Sequence, residues 1–583
     1  MIKSFRFLKP YFGWVILIFI LVALRAVMTL ALPALLGELI NDITSSSLTE
    51  TEKYQSLMTN GLLMLGSTII GIVAILFSGY LESRVSSAYG RDLRNALYSK
   101  VQTFSLNEMD RFTTSSLITR TTNDIQSLQM MLAQLMRSVI MAPIMALGGI
   151  IMAFVLSPNL TVFLFISVAV IILFLTILLL VVMPKFKIIQ RLIDKMNLVT
   201  RENLSGLRVV RAYNTQKLQA QKSKDVARDS MKRNIFVQRI FNTIWPVLGL
   251  LMQLTTAMLY YVAVSNGVIS QGSAFEPGDI SAIVQYASQA LMNFMFITMI
   301  LTMIPRAAIS ARRIMDVIDS DVLIKDPVNP DQIDNVLGEI EFENVSFQYP
   351  GADEPVLSHI SLTANPGQVT AFIGSTGSGK STLINLIPRF YDPTEGRILL
   401  DGKDIKTFNQ NEFLKYIGYV PQKGNLFKGT IASNISFGQE EINMDVVKKS
   451  AEIAQASNFI DQMDGKYDAP ITQGGTNVSG GQRQRLSIAR ALAKEPQIYI
   501  FDDSFSALDY KTDINLRNAL KKHVDATIII VAQRINSIKN ADKIVVLDKG
   551  KIVGMGTHEE LIKTSKVYLE IAESQLSQEE LSR

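Results

Sequence analysis

Six apolar stretches constrain this chain more than any motif does, because each approaches the ~20 residues a helix needs to cross a bilayer. They lie near 15–36, 59–80, 135–157, 160–183, 243–265 and 281–305. Lipid offers no hydrogen bonds to a bare backbone, so runs of this length predict helices. The first carries Arg25 near its middle, with Pro33 further on, and the third and fourth are parted only by Ser157-Pro158-Asn159. All six fall in the first 305 of 583 residues, so the remainder must build a separate core.

Charge placement orients the spans. Segments 81–134 and 184–240 are rich in Lys and Arg, whereas 41–56 and 266–279 hold Lys53 as their only basic residue. The positive-inside rule then puts both chain ends and the two long loops in the cytoplasm. The same rule accounts for the net charge of +5 without nucleic acid as a partner. The basic start (Lys3, Arg6, Lys9) ahead of Trp14 reads as a retained first span, not a cleaved leader. With no cysteine and three histidines (His359, His523, His558), disulfides and thiolate sites are excluded and a protein-built zinc site is disfavoured.

The long loops lack helix breakers: no proline occurs between Pro33 and Pro143, or between Pro184 and Pro246. The spans are therefore free to continue as helices, and a 25-residue extension reaches roughly 35–40 Å. Each loop reads as a helical hairpin with a short tip, at Ser115–Asp124 and Ser205–Asn214; the alternative is an independent cytosolic subdomain. Around 316–337 the chain turns polar, with Pro327 and Pro330, as a linker does. Beyond it, β-like runs (Ile340–Phe347, Gln368–Ile373, Ile498–Phe501, Thr527–Val531, Lys543–Leu547) alternate with helical segments, the pattern of an α/β domain. The expected division is 1–315 membrane, 316–337 linker and 338–578 α/β.

Gly374-Ser375-Thr376-Gly377-Ser378-Gly379-Lys380-Ser381-Thr382 follows an apolar strand and opens a helix-forming stretch, the context a P-loop requires. Its glycines let backbone N–H groups turn toward phosphate oxygens, and the new helix presents its N-terminus to the same charge. Lys380 is placed to reach the β- and γ-phosphates and Ser381 to ligate Mg²⁺, so ATP with Mg²⁺ is the expected cofactor.

Val478-Ser479-Gly480-Gly481-Gln482-Arg483-Gln484-Arg485 precedes the strand ending in Asp502-Asp503. With the P-loop upstream, this segment resembles the nucleotide-binding domain of ABC transporters, whose signature reads Leu-Ser-Gly-Gly-Gln. The resemblance runs from about 338 to 573. It implies that Tyr349 stacks on adenine and that Gln422, in Tyr419-Val420-Pro421-Gln422, touches Mg²⁺ and the membrane domain. It also implies that Asp502 joins Ser381 in holding the metal. Ser506-Ala507-Leu508-Asp509 matches the D-loop, and Gly556-Thr557-His558-Glu559-Glu560-Leu561 matches a common exporter ending. Six spans fused ahead of one such domain are similar to an exporter-type half-transporter. The expected fold is a polytopic all-α transmembrane domain with long cytoplasmic extensions, followed by an α/β P-loop ABC nucleotide-binding domain.

Two positions depart from the family's pattern. Where the resemblance implies a glutamate that polarises water stands Asp503, and where it implies a γ-phosphate-sensing histidine stands Gln533. Asp503 is one methylene shorter, which leaves its carboxylate ~1.5 Å short, and Gln533 carries no positive charge. Gln473 also replaces a glutamate frequent in exporters. In the family two such domains close head to tail, each ATP lying between one P-loop and the other's signature. The near-intact Ser479, Gly480, Gly481 and Gln482 would thus serve a partner's nucleotide.

The resulting expectation is the degenerate-site subunit of a heterodimeric ABC exporter in the cell membrane, moving amphipathic or hydrophobic compounds outward. Its partner would be a second half-transporter with Glu and His intact. The alternatives are a homodimeric lipid or peptide exporter and a non-transporting membrane protein gated by ATP. Arg120–Asp124 and Gly206–Asn214 resemble the two coupling helices of exporters. Arg25, Met28, Gln253, Gln289, Asn293, Phe294, Met295 and Met299 are candidates either to line a pocket or to pack between helices.

Overall fold

The apolar stretches fold as long helices. The structure, a computed structural model, describes residues 2–265, 276–333 and 335–577. Helices α1 (Phe12–Thr44), α2 (Glu50–Gln102), α3 (Leu106–Phe112), α4 (Thr114–Thr119) and α5 (Ile125–Leu156) are followed by α6 (Pro158–Ser205), α7 (Leu207–Ala212), α8 (Gln216–Ser265) and α9 (Pro277–Ile318). Among the described residues five helices are long and apolar enough to cross a membrane. The sixth expected stretch, 281–305, lies on α9, where several side chains, Met295 and Met299 included, fall outside the described residues. The expected outer loop at 266–279 falls mostly outside them too.

Ser157 ends α5 and caps α6: its hydroxyl accepts the Leu160 N–H, and Pro158 takes the first helical position, where a missing N–H costs nothing. Within this half α1 packs along α2, α5 along α9 and α6 along α8. Tyr286 is buried on α9 and donates its hydroxyl to the Leu30 carbonyl of α1 at 2.8 Å. Yet only 11% of the apolar window of α2 is buried inside the chain. Its leucines and isoleucines need lipid or another subunit against them.

The chain divides into two compact units, and the division does not follow the sequence in order. One unit runs to Gln102 and from Thr114 to Ser320; the other joins Thr103–Thr113 to the chain from Asp321 onward. The tip of the first long loop therefore differs from the expected Ser115–Asp124. The break falls at 103–113, and 115–124 forms α4 and a π-helical turn (Arg120–Asp124) leading straight into α5. A capping box causes it: Ser105 and Glu108 bond each other's backbone N–H and start a new helix at Leu106. Glu108 also accepts the Leu323 N–H at 3.1 Å, and Asp110 accepts the Tyr391 hydroxyl at 3.3 Å. The second long loop turns at α7, flanked by Gly206 and Thr215.

The second unit holds three sheets. Strands β1 (Ile340–Phe347), β2 (Leu357–Ala364), β3 (Val369–Gly374), β4 (Glu395–Leu400), β5 (Lys403–Asp404) and β6 (Ile417–Val420) precede β7 (Gly429–Thr430) and β8 (Pro470–Ile471). Then come β9 (Ile498–Asp502), β10 (Thr527–Val531), β11 (Lys543–Asp548) and β12 (Lys551–Gly556). The sheets run β2-β1-β4-β5, β12-β11-β3-β10-β9-β6 and β7-β8. In the six-stranded sheet β11, β3, β10, β9 and β6 are mutually parallel, and β12 closes one edge antiparallel. Strands β9 and β10 are buried at every position, as strands covered on both faces must be.

Candidate functional site

In an open parallel sheet, ligands bind outside the carboxyl ends of the strands. Four such ends converge here. β3 runs into the P-loop at Gly374, and β9 ends at Asp502 with Asp503 next. Gln422 and Gln533 each stand two residues beyond β6 and β10. The register places Val531 beside Asp502 and Phe372 beside Val531, so the ends are level.

Two of the P-loop's glycines have no room for a side chain, and the third, Gly377, is held at φ +83° with open space around it. A Cβ on Gly374 would collide with the Leu547 carbonyl. Gly379 sits at φ +97°, in the left-handed region, where a Cβ would also meet Leu357 Cδ2 at 2.7 Å. From Gly379 the chain enters α10 (Lys380–Leu386). The Lys380 ammonium donates to the Gly374 carbonyl at 2.9 Å, the Ser375 carbonyl at 2.7 Å and Ser378 Oγ at 3.2 Å. Burial pulls Lys380 below its ordinary pKa, against the opposing charges of Asp503 and Asp502.

Ser381 donates its hydroxyl to Asp502 Oδ1 at 3.3 Å. Asp503 follows in the left-handed region at φ 46°, which aspartate tolerates better than most residues. Its Oδ2 accepts two amide protons, from Gln422 Nε2 at 3.2 Å and Gln533 Nε2 at 3.1 Å. Burial pushes both carboxyls above the usual aspartate range. For Asp502 the neighbouring Asp503 charge adds to the shift, while Ser381 and Lys380 oppose it. For Asp503 the opposition comes from Gln422, Ser506, Arg534 and Lys380. The Ser381 hydroxyl and the Asp502 carboxyl are hard oxygen donors beside the phosphate loop, and would hold a Mg²⁺ ion bound with the nucleotide.

Tyr349 donates to or accepts from Thr382 Oγ1 at 3.0 Å, beside the P-loop. Its ring meets Phe347 edge-on at 4.9 Å and Tyr391 at 5.4 Å. Tyr391 carried no sequence signal, and neither did its bond to Asp110. The Ser105-x-x-Glu108 spacing that places Asp110 was legible as a capping box.

The signature stretch stands apart. Ser479 caps the helix Gly480–Ala493: its hydroxyl accepts the Gln482 N–H at 3.2 Å, and Gln482 Oε1 accepts the Ser479 N–H at 2.9 Å. Val478 anchors the turn in the core, while Ser479 and Gly480 are exposed. Among the described residues no hydrogen bond joins 479–482 to the P-loop.

The sequence profile described as ABC transporter matches residues 357–506, and that of the ABC transporter transmembrane region matches 15–294. An uncharacterized ABC transporter ATP-binding protein of Mycobacterium tuberculosis is 37% identical over 573 residues, covering 97% of each chain. The uncharacterized ABC transporter ATP-binding protein YfiB of Bacillus subtilis is 35% identical, covering 99% of each. The chain belongs to the ABC transporter family. Among solved structures, a bacterial Atm1-family ABC exporter with ATP bound matches with a TM-score of 0.79 at 24% identity, covering 97% of this chain and 98% of that one. That likeness fixes the fold: a helical membrane domain followed by an α/β cassette, as the sequence led us to expect. As an ABC transporter the chain is a multi-pass membrane protein, and its cassette is of the kind whose ATPase activity is coupled to transport.

Proposed function

We propose that this chain is the slow-turnover subunit of a heterodimeric ABC exporter in the cell membrane. It binds ATP and Mg²⁺ at its own P-loop and lends Ser479–Gln482 to the nucleotide of a partner half-transporter. One observation carries the reading: Asp503, at the position of the general base, has Oδ2 held by two amides, Gln422 and Gln533. Loss of a general base costs 10²–10⁴-fold, about 3–5 kcal/mol. A carboxylate pulled back ~1.5 Å and tied to two donors loses much of that contribution. Gln533 adds a donor but no charge to meet the γ-phosphate.

In this reading ATP spans the P-loop glycines, Lys380 and Tyr349, while Ser381 and Asp502 hold the ion and Gln422 reports its presence. Closure of two cassettes around the pair of nucleotides turns the membrane domains outward, and hydrolysis on the partner's side reopens them. The loop turns near α3–α4 and α7 carry the motion, the second against the partner's cassette. Both chain ends face the cytoplasm, and the cargo is an amphipathic or hydrophobic compound.

The test follows nucleotide fate. In the assembled complex, photocrosslinked azido-ATP on this chain is expected to persist as triphosphate through many turnovers, while that on the partner becomes diphosphate. Ordinary turnover, on the order of 10 s⁻¹, from this chain purified alone would identify an active homodimer and sink the proposal.

A further inference from the structure

Arg25 lies 13 residues into α1, about 20 Å from its start and inside the apolar run that crosses the bilayer. A charge at that depth costs at least about 3 kcal/mol and persists where it faces a partner or a polar cavity. One candidate partner, Glu82, is already engaged. Glu82 of α2 is close enough to interact with Arg25 electrostatically, but its Oε2 accepts Arg137 Nη2 at 3.2 Å and Nε at 3.3 Å. Among the described residues Arg25 makes no ion pair and donates no side-chain hydrogen bond. The three-residue group thus carries one uncompensated positive charge.

Arg25 opens into a cleft of about 220 Å³ between α1 and α2, lined also by Thr29, Ser67 and Thr68. Thr29 and Thr68 turn their hydroxyl protons back on their own helices, to the Arg25 and Met64 carbonyls at 2.8 Å each. The donors left for a ligand are the guanidinium and the Ser67 hydroxyl. Apolar Met28 and Ile75 flank them. Thr68 also lines a second cleft of about 590 Å³, which runs along α2 past Leu65 and Met58 to Leu57. From Thr68 to Leu57 is about 16 Å along the helix. A cationic cleft that continues into an apolar one matches one chemistry: a negative head on a hydrocarbon tail.

We propose that Arg25 and Ser67 bind the phosphate or carboxylate head of an amphipathic anion whose chain lies along α2 beyond Thr68. This rests on the reading of α1 and α2 as membrane spans and sharpens the cargo class of the proposed exporter; it does not depend on a heterodimer. A membrane phospholipid and a free single-chain amphiphile share this chemistry.

The test is binding of radiolabelled dodecyl phosphate to the full chain in neutral maltoside micelles, by equilibrium dialysis without ATP. R25Q is expected to weaken binding at least tenfold, and R25K, which keeps the charge, by threefold or less. Palmitate should compete and dodecyltrimethylammonium should not. Competition by phosphatidylglycerol doped into the micelles assigns the site to bilayer lipid; its absence assigns it to single-chain amphiphiles. T68W, at an exposed position, fills the junction of the two clefts and should also cost tenfold, which keeps the test open if R25Q misfolds. Fluorescent ATP binding to each variant reports whether the cassette is intact. Affinity within twofold of the parent in both R25Q and T68W, or equal binding of the cationic amphiphile, overturns the proposal. Because no turnover is read, failure of the slow-site reading would leave this result unaffected.

Discussion

Gln533 Nε2 donates to Asp503 Oδ2 at 3.1 Å, so in the proposed reading the γ-phosphate-sensing position is bonded to the general-base position. The pair is matched in length: a short acid and a neutral donor meet on one oxygen, with Gln422 completing the clamp at 3.2 Å. The two substitutions therefore form one unit, and their effects should be strongly non-additive.

Restoring both residues, Asp503→Glu with Gln533→His, should raise ATP turnover at this chain's site by about 100-fold or more, the scale of a general base. Either change alone should give much less. The assay is phosphate release from a complex whose partner site has lost its P-loop lysine. Flat turnover in the double variant would remove the physical basis for a slow site.

Asp503 also sets a pH dependence. Burial raises its folded pKa above the unfolded value, so its protonated form is the one the fold prefers. Such a group supports stability below the unfolded pKa, and the support is lost as pH rises through the folded pKa. Asp503→Asn should therefore raise Tm at pH 7.5 by about 2–4 °C, the shift for roughly 1 kcal/mol in a domain of this size. The gain should shrink as pH falls toward 4. Differential scanning fluorimetry on ATP-free protein checks it, and a gain that grows toward acid pH would refute the assignment.

Ser479 separates two roles by choice of replacement. Ser479→Ala removes the helix cap and should cost about 1 kcal/mol of local stability. Ser479→Arg adds a cation at a helix N-terminus that would otherwise face phosphate. It should abolish hydrolysis at the partner's site while leaving ATP binding at this chain's own P-loop unchanged. Unaltered ATPase in the complex would show that the signature does not act in trans.

Tyr349 should contribute through its ring. Tyr349→Ala is expected to weaken ATP about 5- to 100-fold, the range for losing one base–aromatic stack. Tyr349→Phe keeps the ring and gives up only the Thr382 bond, so it should stay within a few-fold. Titration with a fluorescent ATP analogue distinguishes them. Equal losses would place the tyrosine's role in its hydroxyl.

Much of this architecture was legible because its physics is local. Apolar length alone marked the helices, and the glycine spacing of 374–379 marked a loop that side chains would block, as the Leu547 carbonyl behind Gly374 shows. The convergence of Gln422, Asp503 and Gln533 depended on strand order, which no short window of sequence reveals. The tip of the first loop was not legible from the absence of proline, because the Ser105–Glu108 capping box is what starts the new helix there. Tyr391 was invisible for another reason: its partners, Asp110 and Tyr349, are distant in sequence and share no motif with it.

The membership of Thr103–Thr113 in the second unit has a consequence for biogenesis. Synthesis proceeds at 5–20 residues per second, so this segment leaves the ribosome about 10–40 seconds before Asp321. The Leu323 amide and the Tyr391 hydroxyl then find Glu108 and Asp110 only if the tip of the first hairpin is on the same side of the membrane as the cassette. A nascent chain inserted the wrong way round would make a cassette short of one of its own pieces. Completing the second unit thus depends on where the first hairpin was inserted.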